Sequence, residues 1–277
     1  MQCLLPNLGL LRHQLEESIP KDQFRSAYFY LELLPYSLGA TFQAFIDFTE
    51  AERDLVSSLV SMLDNSPGPI AIGAGGRDQL SYRIDSFLEA ARRTQNAVIP
   101  YLSKALSISL PASLADLVKR IEKEKVLLPE NIAKDILGYW TNQGRKLKDY
   151  RDLSQHHALV ASEVRVFKAS VGKPAIYIAL PKNPEAKDPN KLDFDDPPVQ
   201  AYYYLKEQLR WLIRFCHVVT TALTIPPSGP SRSVSASIVF RNSLKMGAGA
   251  QLVGHTIFTD EEIRKDINEY VTSLGRL

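Results

Sequence analysis

Apolar residues recur at spacings of three and four through the first 160 positions, and the pattern turns to alternation after Glu163. That change of period predicts a run of helices followed by a β-hairpin. In residues 22–34 the positions Phe24, Ala27, Tyr28, Leu31 and Leu34 make one stripe, and Pro35 is expected to end or kink that helix. A second helix is predicted over 38–63, stopped by Asn65-Ser66-Pro67-Gly68-Pro69. Ile70-Ala71-Ile72 and Gly73-Ala74-Gly75-Gly76 then read as a loop. A third helix over 78–106 carries Leu80, Ile84, Phe87, Leu88, Ala91 and Val98, with Pro100 as a kink. Ser113 is placed as the N-cap of a short helix over 114–125, with Leu117 and Ile121 inward.

The fifth helix is the longest to contain chemistry. Pro129-Glu130 suits a first turn, and apolar side chains follow at Ile132, Ile136, Trp140, Leu147, Tyr150, Leu153 and Val160. Gly144 weakens its centre by ~1 kcal/mol relative to alanine. Helices with one apolar face each are most simply satisfied by an antiparallel bundle.

Residues 164–169 and 175–180 form the predicted hairpin, with a turn at Val171-Gly172-Lys173-Pro174. A polar loop with five prolines fills 181–198. Residues 199–223 return to helix, with Tyr203, Leu209, Leu212, Ile213, Cys216 and Val219 spread widely enough to require cover on most sides. The tail reads as a loop over 225–233, short strands at 236–240 and 251–258, and a last helix from Asp260, where Thr259 and Glu262 form a capping box. The fold expected is mainly α: a helical bundle with an inserted β-hairpin and short C-terminal strands. It is read as one domain over 1–277, with its core in 22–160 and 199–224, an insertion at 164–198 and an extension at 225–277. No internal repeat is visible.

Composition narrows the class without naming it. The 277 residues can bury a large core, and a formal net charge of +2 is too small for a nucleic-acid coat protein or a basic membrane-surface protein. Two cysteines, Cys3 and Cys216, make no disulfide framework, which suits a reducing compartment. The leucines near the start are interrupted by Pro6 and Gly9 before a signal core forms, and no run approaches the ~20 apolar residues of a membrane span. The expectation is a soluble, cytoplasmic protein.

Chemistry concentrates in Tyr150-Arg151-Asp152-Leu153-Ser154-Gln155-His156-His157. A guanidinium can clamp phosphate oxygens and an imidazole can move a proton near neutral pH. Arg145, Lys146 and Lys148 precede the motif, so the local potential is expected to be positive and to attract a polyanion, whereas a charge run alone is usually a solvated helix face. At ~100° per residue, His157 falls on the apolar stripe and His156 off it. His156 is also roughly 140° around the helix from Arg151, so the two cannot converge from one regular helix. Either the backbone breaks near 152–154, or another helix or a second copy of the chain completes the site; two-fold symmetry favours the second copy.

Arg151-Asp152 followed by His156 near the end of a long bundle helix resembles the Arg-x4-6-His motif of HEPN-domain proteins. The resemblance covers about six residues and their helical setting. It implies a helical bundle, often dimeric, and a metal-independent endoribonuclease, in some cases a toxin or defence effector. Carried over, Arg151 would bind phosphate, His156 would transfer a proton, and Asp152 would orient one of them, with Arg145, Lys146 and Lys148 holding the substrate. The reaction would be attack of a ribose 2′-hydroxyl on the adjacent phosphate. No cofactor or metal is called for. The partners implied are a second copy, RNA and, for a toxin, a cognate antitoxin protein, with no membrane. The alternative is a non-enzymatic dimeric helical scaffold, or a nucleotide- or protein-binding module, in which Arg151 and His156 make structural contacts.

The other motifs are weaker. Gly73-Ala74-Gly75-Gly76 lacks the Gly-Lys-Ser/Thr ending of a P-loop, and Gly247-Ala248-Gly249 reads equally as a turn. Asp193, Asp195 and Asp196 lack EF-hand spacing. Cys216-His217 side chains diverge on a helix, and no cysteine pair completes a zinc site. Tyr202, Tyr203 and Tyr204 offer either a stacking surface for bases or ordinary helix packing.

Overall fold

The computed structural model describes residues 15–16, 19–65, 70–71, 74–156, 160, 163–168, 174–186, 188–194 and 199–222. The predicted features of the tail (the strands at 236–240 and 251–258, Gly247-Ala248-Gly249 and the helix from Asp260) lie outside these residues, as do Cys3, His157, Asp195, Asp196 and the hairpin turn before Pro174.

Helix α1 spans Lys21–Asp64 without interruption, so the boundary predicted at Pro35 is not there. Proline at that position removes one backbone donor, and the carbonyl one turn earlier loses its partner. Leu31, Leu34, Pro35 and Leu38 are all buried, however, and packing on both sides of the proline outweighs the lost bond. A short strand β1, Ile70–Ala71, follows where a loop was expected. Helix α2 covers Ala74–Ala105, so Ala74, Gly75 and Gly76 are its first turn rather than a loop. Contacts between Gln23 and Ser107, Thr41 and Thr94, and Asp47 and Arg83 run in opposite numerical order, which makes α1 and α2 an antiparallel pair.

Ser113 caps α3, Leu114–Glu122, by accepting the Asp116 amide at 3.2 Å. This helix ends three residues earlier than its apolar pattern suggested, because Glu124 adopts a left-handed φ of 53° and closes the turn. A continuous helical run then comprises α4, Glu130–Tyr139, a π turn at Trp140–Gly144, and α5, Arg145–His156. Trp140 packs half-buried against the core as its spacing predicted, and Tyr139 beside it is buried as well. Val160 is fully buried but lies beyond α5 in a bend.

Strands β2, Glu163–Lys168, and β3, Pro174–Leu180, pair antiparallel with Val164 opposite Ile178. β1 adds to one edge and β4, Val199–Gln200, to the other, in the order β1-β2-β3-β4. The start predicted for the last bundle helix is thus a strand residue. Helix α6 covers Ala201–Thr221, and Gln200 caps it by accepting the Tyr203 amide. Its buried residues, from Ala201 and Leu205 to Leu212, Cys216 and Val219, surround most of its circumference, as expected for a central helix. Val164, Ile178 and Leu180 belong to the same hydrophobic cluster as the helices, so the hairpin packs directly on the bundle. The architecture is mainly α, a helical bundle carrying a small antiparallel sheet. Among the described residues no helix is long and apolar enough to cross a membrane.

Candidate functional site

Burial of Leu147, Tyr150 and Leu153 fixes the rotation of α5. The hydroxyl of Tyr150 donates to the carbonyl of Pro181, and its ring lies 4.6 Å from that of Tyr204, which locks this rotation against the loop after β3 and against α6. Lys148, Arg151, Ser154 and Gln155 then fall on the flank that meets α2. On α2 the facing residues are Asp85, Glu89 and Arg92, spaced four and three apart and therefore on one face.

The contacts between these two rows are specific. Arg151 donates from Nε to Glu89 at 3.0 Å and from Nη1 to Asp152 at 3.4 Å. Gln155 donates to the same Glu89 oxygen at 2.9 Å, and Arg93 reaches the other oxygen at 3.1 Å. Ser154 donates to Asp85. Lys148 bridges Asp152 at 2.7 Å and Asp149 at 3.3 Å. Glu89 is thus the hub of the cluster, holding cations from its own helix and from α5.

Burial and charge pull against each other here. At Glu89 burial raises the pKa, but Arg151 and Arg93 outweigh it and hold the carboxyl below its usual range. Asp152 behaves alike: burial raises it, and Lys148 with Arg151 brings it down on balance. Lys148 is lowered by burial and raised further by Asp152 and Asp149, so it stays firmly charged. Asp85 goes the other way, because burial raises its pKa and the single hydroxyl of Ser154 only partly opposes that. Arg92 is lowered by burial, with Asp152 and Asp116 opposing and Arg151 reinforcing the shift. It also donates to Gln95, deeper in the bundle.

These contacts pair much of the expected basic patch with carboxylates. Arg145 faces Asp149 at 3.9 Å, Lys148 faces Asp149 and Asp152, and Arg151 faces Glu89 and Asp152. Four bases against two acids leave Arg145–His156 with a formal net charge of +2, so the patch stays positive although Arg145, Lys148 and Arg151 each face a carboxylate. Lys146 points elsewhere, with its ammonium 5.7 Å from the centre of the Tyr150 ring.

Arg151 and Asp152 are brought together, whereas the regular helix turns His156 away from them. α5 runs as regular helix to His156, so the backbone break considered near 152–154 does not occur. His156 is exposed in the last turn, on a different side from the half-buried Arg151. Asp85, Glu89, Arg92 and Arg93 were not among the site residues expected from the sequence. Their signal was available as a polar stripe on α2 at the spacing that the apolar residues of the same helix also follow.

The remaining candidates settle into packing. Tyr204 is buried, Tyr202 leans on Phe45 at 5.8 Å, and only Tyr203 of the three is exposed. Cys216 is buried and its thiol pKa is pushed up by desolvation. Among the described residues no group of histidine, cysteine and carboxylate side chains is arranged to hold a metal. The chain matches no known protein family, no curated protein and no solved structure.

Proposed function

We propose that the protein is a HEPN-like, metal-independent endoribonuclease that forms its site from two copies of the chain. The observation that supports this most is the way Arg151 is held. Glu89 takes its Nε and Asp152 its Nη1, so the guanidinium is fixed with Nη2 making no hydrogen bond to a described residue. A fixed arginine binds a phosphate oxygen with less loss of side-chain freedom than a mobile one. His156 is exposed five residues on, at the end of the same helix.

Arg151 and His156 of one α5 diverge, and a two-fold axis beside α5 would set one copy's arginine near the other's histidine. One imidazole then removes the 2′-hydroxyl proton while the imidazolium of the second copy protonates the departing 5′-oxygen. The phosphorus–5′-oxygen bond breaks as the 2′-oxygen–phosphorus bond forms, leaving a 2′,3′-cyclic phosphate and a 5′-hydroxyl. Asp152 and Glu89 are positioning residues in this scheme.

A second reading, a non-enzymatic dimeric scaffold, draws on the engagement of Arg151 by Glu89 and Asp152. One experiment separates the two. Purified full-length protein is incubated with single-stranded RNA with and without chelator, beside Arg151→Ala and His156→Ala. Chelator-insensitive cleavage with cyclic phosphate ends, lost in both variants, is the expected result. Full activity in either variant would overturn the ribonuclease reading. No cleavage by any of the three, with a lowered melting temperature in Arg151→Ala, would leave the scaffold.

A further inference from the structure

A second group of cations lies beside α3, with Glu122 and Glu124 exposed next to it. A cleft of about 490 Å³ opens beside α3, lined by Pro111, Ala112, Asp116, Lys119, Arg120, Lys123 and Lys125. Local structure puts the charges there. Leu114, Leu117 and Val118 are buried, which turns positions 116, 119, 120 and 123 outward on the opposite face. The left-handed Glu124 then lets the Lys125 amide bond back to the Arg120 carbonyl at 2.8 Å, returning Lys125 to the same end of the helix.

Asp116, the one carboxylate of the cleft, already accepts from Ser113 at 2.8 Å and pairs with Lys119 at 3.4 Å. Arg120, Lys123 and Lys125 form no ion pair with any described residue. Cations near a helix C-terminus complement its dipole, which accounts for Lys119 and Arg120. It does not account for two further lysines gathered beyond the end.

The cleft is joined to the Arg151 cluster through α2. Asp85, Glu89, Arg92 and Asn96 continue a single face at spacings of four, three and four. Asp85 and Glu89 hold Ser154, Arg151 and Gln155 of α5, and Asn96 accepts the backbone amide of Leu114, the first residue of α3, at 3.0 Å. Seven residues separate Glu89 from Asn96, a rise of ~10 Å. Arg92 lies between them and senses the charges of both Asp116 and Asp152.

We infer that the α3 cleft is a phosphate-binding groove that holds the backbone of a single-stranded RNA and leads it along α2 to Arg151. The inference rests on the ribonuclease reading for the identity of the strand. Four cations spread along the cleft suit the repeated phosphates of an extended polyanion better than a compact nucleotide. No aromatic ring lines the cleft, so bases find no stacking platform there and the lysines and Arg120 meet the phosphates.

The test is binding of a fluorescent single-stranded RNA to full-length His156→Ala protein, which leaves the RNA intact, read by anisotropy over a salt series. Replacing Lys119, Arg120, Lys123 and Lys125 together by alanine should weaken binding at least tenfold. The salt slope should become shallower by ~0.7 for each phosphate that is no longer neutralised. Arg120→Glu alone should give a smaller loss in the same direction and serves if the fourfold variant melts early. Unchanged affinity and slope in both variants would overturn the groove even if the wild-type protein cleaves RNA. Cleft-dependent RNA binding without cleavage would retain the groove and remove the nuclease. Binding to phosphatidylserine vesicles that depends on these cations, with none to RNA, would overturn the RNA assignment.

Discussion

The side-chain amide of Gln95 donates to the backbone carbonyl of Gly144 at 3.0 Å, tying the middle of α2 to the π turn between α4 and α5. Gln95 is fully buried and also receives Arg92. A π turn leaves carbonyls out of the regular ladder, and a buried glutamine is one way to satisfy them. The same bond couples the bundle interior to Arg92 and so to the polar face that carries Glu89 and Arg151.

Gly144 is therefore required by space. A Cβ there would lie 2.6 Å from Gln95 Nε2 and 2.9 Å from Tyr139 Cε1. The Gln95 amide is held at both ends and Tyr139 stacks on Phe215 at 4.1 Å, so neither neighbour yields easily. Gly144→Ala should lower stability by about 1–3 kcal/mol, although alanine is the better helix former. Urea unfolding measures this; a stabilised variant would mean that the π turn relaxes.

Tyr150 gives a second test of how α5 is set. Tyr150→Phe keeps the ring against Tyr204 and removes only the donor to the Pro181 carbonyl. Leaving that buried acceptor unsatisfied should cost about 1–3 kcal/mol. The variant should also loosen the loop after β3, seen as faster amide exchange near Lys182. Equal stability and exchange would show that the hydroxyl is dispensable.

The Arg151–Glu89 pair is partly exposed, at 28% and 32% for the two side chains, which limits its worth. A double-mutant cycle with Arg151→Ala and Glu89→Ala should give a coupling of about 0.5–1 kcal/mol, smaller at high salt. If Glu89 positions Arg151 for RNA, Glu89→Ala should reduce cleavage more than so small a coupling suggests. A coupling near zero would remove Glu89 as the hub.

Much of the fold was legible because apolar spacing reports burial directly. The stripes at Leu31 and Leu34, at Ile84 and Phe87, and at Leu147 and Tyr150 are all buried, and the hairpin pairs as its alternation required. Signals that act through a single residue misled where packing outweighed them. Pro35 sits inside α1 because its neighbours are buried on both sides, and Ala74-Gly75-Gly76 starts a helix whose remaining turns support it. The candidate site was half legible. Arg151 and Asp152 adjoin in sequence and in space, whereas Glu89 is 62 residues from Arg151 and no local pattern links them. The π turn left no mark beyond Gly144.

Glu52 faces neither the motif nor the cleft. It is 7% exposed on α1, its Oε1 has no hydrogen-bond partner among the described residues, and Tyr202 of α6 is near enough to feel its charge. Burial pushes its pKa up from the usual 4.5 to about 8. The folded protein therefore keeps a proton that the unfolded chain releases. The group's contribution is fully present below pH 4.5 and is lost as pH rises to about 8. Within that window the slope is about 1.4 kcal/mol per pH unit. Glu52→Gln keeps the shape and removes the titration, so its unfolding free energy should fall less steeply between pH 5 and 8, in line with that slope. Parallel pH profiles for the two proteins would mean that water or a cation reaches the carboxylate and that its burial is relieved in solution.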